Sequence, residues 1–120
     1  MFKLRVIDHF ASAHFLRDYN GKCENLHGHN WKVEVYLEGN ELDKTGMLVD
    51  FKVIKKELKN VTEELDHIFL NEHEYFIKVN PTSENIAKYI YDRLKVKFGD
   101  LVSSVVVWES ETAAAEYYEK

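Results

Sequence analysis

The stretch His27-Gly28-His29-Asn30-Trp31-Lys32-Val33-Glu34-Val35-Tyr36-Leu37-Glu38-Gly39-Asn40 separates two kinds of side chain by parity. His29, Trp31, Val33, Val35 and Leu37 fall on one parity; Lys32, Glu34 and Glu38 fall on the other. Successive side chains of an extended chain point to opposite faces, so the pattern predicts a β-strand with one apolar face, ending at Gly39 and Asn40. His27 and His29 begin that strand two residues apart and therefore project from one face. Gly28 between them predicts a close backbone approach or a conformation closed to other residues.

Upstream, Phe2, Leu4, Val6 and Phe10 alternate with Lys3, Arg5 and His9, which predicts a first strand with His14 at its end. Asn20-Gly21 is a turn signal, so a hairpin can bring His14 beside His27 and His29. Downstream of Gly46 the period changes. Phe51, Ile54, Leu58, Val61 and Leu65 follow the three-four spacing of an amphipathic helix, with Asp50 as its N-cap. A second helix follows Pro81, capped by Thr82, with Glu84 at its positive end, a stripe of Ile86, Tyr89, Ile90 and Leu94, and Gly99 to stop it. Val105 and Val107 predict a third strand and Ala113 to Tyr118 a fourth. The order β-β-α-α-β-β predicts an α+β domain, an antiparallel sheet with both helices on one face. The other face and the sheet edges then need cover, which self-association supplies most simply.

A chain of 120 residues suits a single domain over 1–120. No leader and no membrane-spanning run is recognisable, so a cytoplasmic protein without a membrane partner is expected. Sixteen basic against 21 acidic residues leave a net charge of −5, which argues against a nucleic-acid partner. A small phosphorylated ligand stays compatible, because one pocket can be basic on an acidic protein. Cys23 is the single cysteine, so no disulfide forms within the chain.

Two histidines at a strand end are ordinarily satisfied polar residues. His14 alters the balance, because three neutral imidazoles with one open position make a catalytic zinc arrangement. A closed site with Cys23 as fourth ligand fits the same count. His9 has the parity opposite to His14. Glu109 shares the parity of Val105 and Val107, so a carboxylate falls on an apolar face and needs a partner, unless the strand ends there and water solvates it.

Several short pieces recur in order along nearly the whole chain: Phe10, Ala11, Ser12, Ala13, His14; then Cys23, Glu24, Asn25, Leu26, His27, Gly28, His29; then Leu65, Asp66, His67; Leu70, Asn71; Pro81, Thr82, Ser83, Glu84, Asn85; and Glu109. In combination they resemble the 6-pyruvoyltetrahydropterin and 6-carboxytetrahydropterin synthase group. The resemblance implies a tunnelling fold (T-fold), whose subunits join their sheets into a barrel as trimers or dimers of trimers with active sites between subunits. It implies Zn2+ on His14, His27 and His29, Cys23 as the proton-abstracting base, and Asp66 with His67 as its partner pair. Zinc would lower the pKa of substrate hydroxyls, and a thiol near the metal would ionise near neutrality. Adjacent residues such as Asp66 and His67 diverge on a regular helix or strand, so the pair requires an irregular backbone at the helix end.

Glu109 is implied to grip the guanidine-like edge of a pterin, as a carboxylate grips arginine. Thr82 and Glu84 align with a stretch lining the same pocket, although capping of the second helix explains both. The short Cys-x-x-x-His-Gly-His spacing resembles the 6-carboxytetrahydropterin synthases of the queuosine (7-deazaguanine) route. The implied reaction is a carbon-carbon lyase step from 7,8-dihydroneopterin triphosphate to 6-carboxytetrahydropterin, releasing acetaldehyde and triphosphate. Glu24 beside Cys23 resembles a subgroup that cleaves the dihydroneopterin side chain toward 6-hydroxymethyl-dihydropterin for folate, and as a possible second acid/base it keeps that activity open. So do the 6-pyruvoyl activity and a non-catalytic zinc- or pterin-binding module on the same scaffold.

Overall fold

The computed structural model describes residues 1–19 and 25–120. Four strands, β1 (Phe2–His14), β2 (His27–Gly39), β3 (Val102–Trp108) and β4 (Ala114–Tyr118), form one antiparallel sheet in the order β1-β2-β3-β4. Between β2 and β3 the chain forms α1 (Phe51–Leu65), two short 3-10 turns (Leu70–Glu72 and Glu74–Ile77), α2 (Ser83–Phe98) and a third 3-10 turn (Gly99–Leu101). The predicted order of strands and helices holds; the three 3-10 turns were not foreseen, since such short pieces carry no periodicity.

The predicted caps are in place. Asp50 accepts the amide of Lys52 at 2.9 Å, and Thr82 accepts that of Asn85 at 3.1 Å. Gly99 ends α2 at φ +56°, a left-handed conformation that glycine adopts without penalty. Gly39 sits in a tight spot for a different reason: a Cβ there would lie 2.7 Å from Leu48 Cδ1, so that side chain would have to move. Gly28 corrects the sequence reading. It lies in regular strand without positive φ, and a Cβ there would meet nothing within 4 Å among the described residues.

Alternation sorts the sheet into two faces. Val6, Phe10, Trp31, Val33, Val35, Leu37, Val105 and Val107 point toward the helices and bury against Ile54, Leu58, Leu65, Ile86, Ile90 and Leu94. α1 lies over β1, and α2 over β3 and β4. Apolar surface removed from water at about 25 cal/mol per Å² is the main force holding the layers together. The opposite face has no element packed on it among the described residues. Its centre is Glu34, buried, accepting from Tyr36 OH at 2.8 Å and Trp108 Nε1 at 2.6 Å, with Arg5 and Lys32 within 4 Å. These partners outweigh burial and hold its carboxyl below the ordinary range.

A second polar knot joins the two helices. Glu64, in the last turn of α1, accepts from Arg93 Nη1 at 2.6 Å, from His73 Nε2 at 2.7 Å and from Tyr89 OH. Nδ1 of His73 accepts the Tyr75 amide at 3.1 Å, so Nε2 carries the hydrogen it donates. Burial would raise the Glu64 pKa, but the three donors, Arg93 foremost, bring it from 4.5 to about 2. The folded state therefore binds the proton more weakly than the unfolded state. The stabilisation is complete above about pH 4.5 and is lost as the pH falls through about 2. Glu64→Gln is expected to cost on the order of 1 kcal/mol at pH 7, a value that allows for solvent screening of a carboxylate one-third exposed. Urea unfolding should show that gap narrowing steadily between pH 4.5 and pH 2.5; a gap independent of pH would disprove the assignment.

Candidate metal centre

The register of β1 on β2 assembles the three predicted histidines. His14 is paired directly with His27, and Ser12 with His29, so His14 and His29 are diagonal neighbours. All three point to the helix side of the sheet, at the end where Trp31 closes the core beneath them, its ring 5.0 Å from that of His14 and 5.4 Å from that of His29. His9, as its parity predicts, is exposed on the other side. Nε2 of His14 lies 3.0 Å from Nε2 of His27. Glu109 completes the group, one carboxylate oxygen 3.6 Å from His29 Nε2 and the other 3.9 Å from His14 Nε2. One ligand atom from each of these four residues falls within 4.8 Å of every other. Glu109 lies one residue past the end of β3, not on its apolar face, and its partly exposed carboxylate is turned toward His14 and His29.

The chemistry of this donor set fits a cation. Nδ1 of His14 faces Pro81 O at 2.7 Å, and Nδ1 of His27 faces Asn25 O at 2.9 Å. A carbonyl only accepts, so both Nδ1 atoms carry hydrogen and, on neutral rings, both Nε2 atoms present lone pairs to each other. Two lone pairs at 3.0 Å need a positive centre between them. Protonation is the poorer way to supply it at His14, whose pKa is lowered by burial and by the neighbouring His27 and His29, against the raising effects of the Pro81 carbonyl and Glu109. Among the described residues, His29 Nε2 is buried without a hydrogen-bond partner, as suits a metal-ligand atom. Tetrahedral zinc, with ligands about 2.0–2.1 Å from the ion, separates them by roughly 3.3 Å, close to the spacings found.

Asp66 and His67 form a separate pair. Asp66 caps the C-terminus of α1, and His67 takes φ +54°, which turns its ring back so that Nδ1 lies 2.9 Å from Asp66 Oδ2. This is the irregular backbone that the adjacent pair requires. The segment is fastened along the outer edge of β1: Ala11 N donates to Asp66 Oδ1 at 2.8 Å, His67 N to Ala11 O at 2.5 Å, and Ala13 N to Ile68 O at 3.2 Å. The Ala11 amide, then the His67 ring, hold the Asp66 carboxyl below its ordinary range. The His67 side chain is 81% exposed. Neither residue belongs to the four-residue cluster.

Glu84 and Glu109 line one cavity of about 210 Å³ with Ser83, Ala113, Ala114 and Ala115. Glu109 is thereby shared between that cavity and the histidines. Thr82 is spent on capping α2. Cys23 and Glu24 lie outside the described residues.

The chain matches the family model described as 6-pyruvoyl tetrahydropterin synthase over residues 3–120. It belongs to that family. Among its relatives, the 6-carboxy-5,6,7,8-tetrahydropterin synthase of Haemophilus influenzae is 34% identical, spanning 99% of this chain and 100% of its own. The Bacillus subtilis protein of that name is 36% identical over 99% of this chain and 86% of its own. The structure of Caenorhabditis elegans 6-pyruvoyl tetrahydropterin synthase superposes with a TM-score of 0.87 at 31% identity, covering 99% of this chain and 96% of that one. The Plasmodium falciparum 6-pyruvoyl tetrahydropterin synthase structure, 23% identical with a TM-score of 0.80 over 98% and 97% of the two chains, shares the fold.

In this 6-pyruvoyl tetrahydropterin synthase family member, sequence reading missed the groups that orient the imidazoles, the carbonyls of Pro81 and Asn25. Backbone carbonyls carry no residue-type signal, so only the folded chain reveals them. Loaded with zinc and dialysed against a weak chelator, a His27→Ala variant is expected to retain far less metal than the parent, measured by inductively coupled plasma mass spectrometry. Full zinc retention would exclude the cluster as the metal centre.

Proposed function

We propose that this protein is a zinc-dependent carbon-carbon lyase of pterin metabolism, converting 7,8-dihydroneopterin triphosphate and one water to 6-carboxy-5,6,7,8-tetrahydropterin, acetaldehyde and triphosphate, in the queuosine (7-deazaguanine) route. The observation that carries the proposal is the convergence of His14, His27 and His29 beside a carboxylate, Glu109, that also lines a cavity. Family membership and relatives called 6-carboxytetrahydropterin synthases over nearly the whole chain support it.

His14, His27 and His29 hold the metal, which supplies Lewis-acid stabilisation of negative charge developing on substrate oxygen. Glu109 and Glu84 grip the guanidine-like edge of the pterin, with Ser83 in the same lining and Thr82, the α2 cap, next to it in sequence. With the ring held there, the side chain at C6 extends toward the histidines. Cys23, four residues before His27, removes a proton from that side chain as thiolate. The Asp66–His67 pair exchanges protons with it: Asp66 accepts from Nδ1 of His67 and leaves Nε2 free to take or give one. An exposed pair on the outer edge of an end strand suits a site completed by a second copy of the chain, consistent with a homotrimer or a dimer of trimers whose sheets continue into a barrel. Among the described residues no helix is long and apolar enough to cross a membrane, and a cytoplasmic location fits the proposed pathway.

Glu24, next to Cys23 in sequence, supports a second reading: cleavage of the dihydroneopterin side chain to 6-hydroxymethyl-dihydropterin for folate, alone or beside the first activity. Incubation of the zinc-loaded protein with dihydroneopterin triphosphate, with products resolved by chromatography and mass spectrometry, separates the readings. A 6-carboxy product is expected; a 6-hydroxymethyl product favours the Glu24 reading, and a 6-pyruvoyl product the third activity of the family. Cys23→Ala should keep its zinc and lose about 100-fold or more in turnover. Unchanged turnover would remove Cys23 from the role of base, and loss of zinc with the thiol would favour the closed site with cysteine as fourth ligand.

A further inference from the structure

The ring of His14 is aimed by a backbone carbonyl, and the residues that hold that carbonyl lie outside the metal cluster. Asn80 and Arg17 form a reciprocal clasp. The Asn80 carboxamide grips the Arg17 backbone on both sides, Oδ1 accepting from Arg17 N at 2.9 Å and Nδ2 donating to Arg17 O at 2.7 Å, as a strand neighbour would. The Arg17 guanidinium returns the contact, Nη2 donating to Phe76 O at 2.5 Å and to Val79 O at 3.0 Å. The carbonyl of Asn80 accepts from Thr82 N at 2.8 Å and from Asn85 Nδ2 at 2.9 Å. The carbonyls of Phe76, Val79 and Asn80 are thus all bound within one frame, and the next, on Pro81, is the one presented to His14 Nδ1 at 2.7 Å. Proline at that position also fixes its own φ. One end of the clasp is on the chain leaving β1, three residues after His14; the other is on the residue before Pro81.

We propose that Asn80 and Arg17 are positioning residues of the metal centre. They hold the 79–82 backbone so that Pro81 O keeps the hydrogen of His14 on Nδ1 and its Nε2 lone pair turned toward His27 and His29. The inference rests on His14 being a metal ligand. Outer partners of ligating histidines commonly control about 10–100-fold in metal affinity by fixing tautomer and ring angle.

The test uses the purified full chain with zinc as the probe, competed against a chromogenic chelator, and a long-range 1H–15N spectrum of the metal-free protein to read the His14 tautomer. Asn80→Ala and Arg17→Ala are each expected to weaken zinc binding by about tenfold and to spread His14 over both tautomers. Arg17→Lys, which keeps the charge but engages one carbonyl at a time, should fall between them and the parent and guards against a variant that does not fold. Glu64→Gln serves as the control, since it breaks a polar knot of similar size that has no contact with His14; it should lower stability and leave zinc affinity within about twofold. The proposal is overturned if the Asn80 and Arg17 variants bind zinc within twofold of the parent with the tautomer unchanged, or if Glu64→Gln weakens zinc as much as they do. His14→Ala separates the two levels: parental zinc affinity in that variant means that His14 is no ligand, whatever the clasp does.

Discussion

Pairing of His14 with His27 across β1 and β2 is the constraint on which the rest of the site depends. Side chains alternate with a period of two, so a slip of one residue in that register would send His14 to the polar face while His27 and His29 stayed with the helices. The register is held far from the histidines. Phe10 stacks on Trp31, with ring centroids 5.8 Å apart, and Val6 lies opposite Val35, each pair buried under α1 and α2. Apolar burial along thirteen paired residues thereby sets the position of three imidazoles at the end of the ladder. The histidine cluster is in effect the last layer of the core, with imidazoles in place of aliphatic side chains.

That placement has an electrostatic consequence. Burial strips water from His14, which favours its neutral ring, and a neutral ring is the form that coordinates a metal. Neutrality alone leaves the tautomer open. The carbonyls of Pro81 and Asn25 decide it by accepting from Nδ1, so that Nε2 of both rings faces inward. Glu109 balances the positive charge that such a centre would bring, and its place in the neighbouring cavity gives it a second face toward a ligand. One carboxylate therefore links the ion site to the cavity that would receive the flat end of a substrate.

The two faces of the sheet solve different problems. Toward the helices, aliphatic residues and the histidines share a dry layer. On the other face, Glu34 with Tyr36, Trp108, Arg5 and Lys32 makes a charged network in which the buried carboxylate has all the partners it needs. An apolar surface of that size would aggregate; a charged one tolerates water and accepts like-built neighbours at the sheet edges. The outer edge of β1 is already partly used, since residues 66–69 lie along it and display Asp66 and His67 to the outside.

Local pattern by itself determined the strand and helix order, the caps at Asp50 and Thr82, the α2 terminator Gly99, and the shared face of His27 and His29. These follow from periodicity and from the chemistry of single residues, which a linear string contains. Only the tertiary structure decided that Gly28 is ordinary strand, that Glu109 finds its partners in His14 and His29, and that a left-handed His67 turns back on Asp66. It also revealed the clasp of Asn80 on Arg17, two residues 63 positions apart. The physical reason is the same in each case. These features are contacts between distant segments or backbone groups with no side-chain identity, and they exist only once burial of the two-layer core has fixed where each strand end lies.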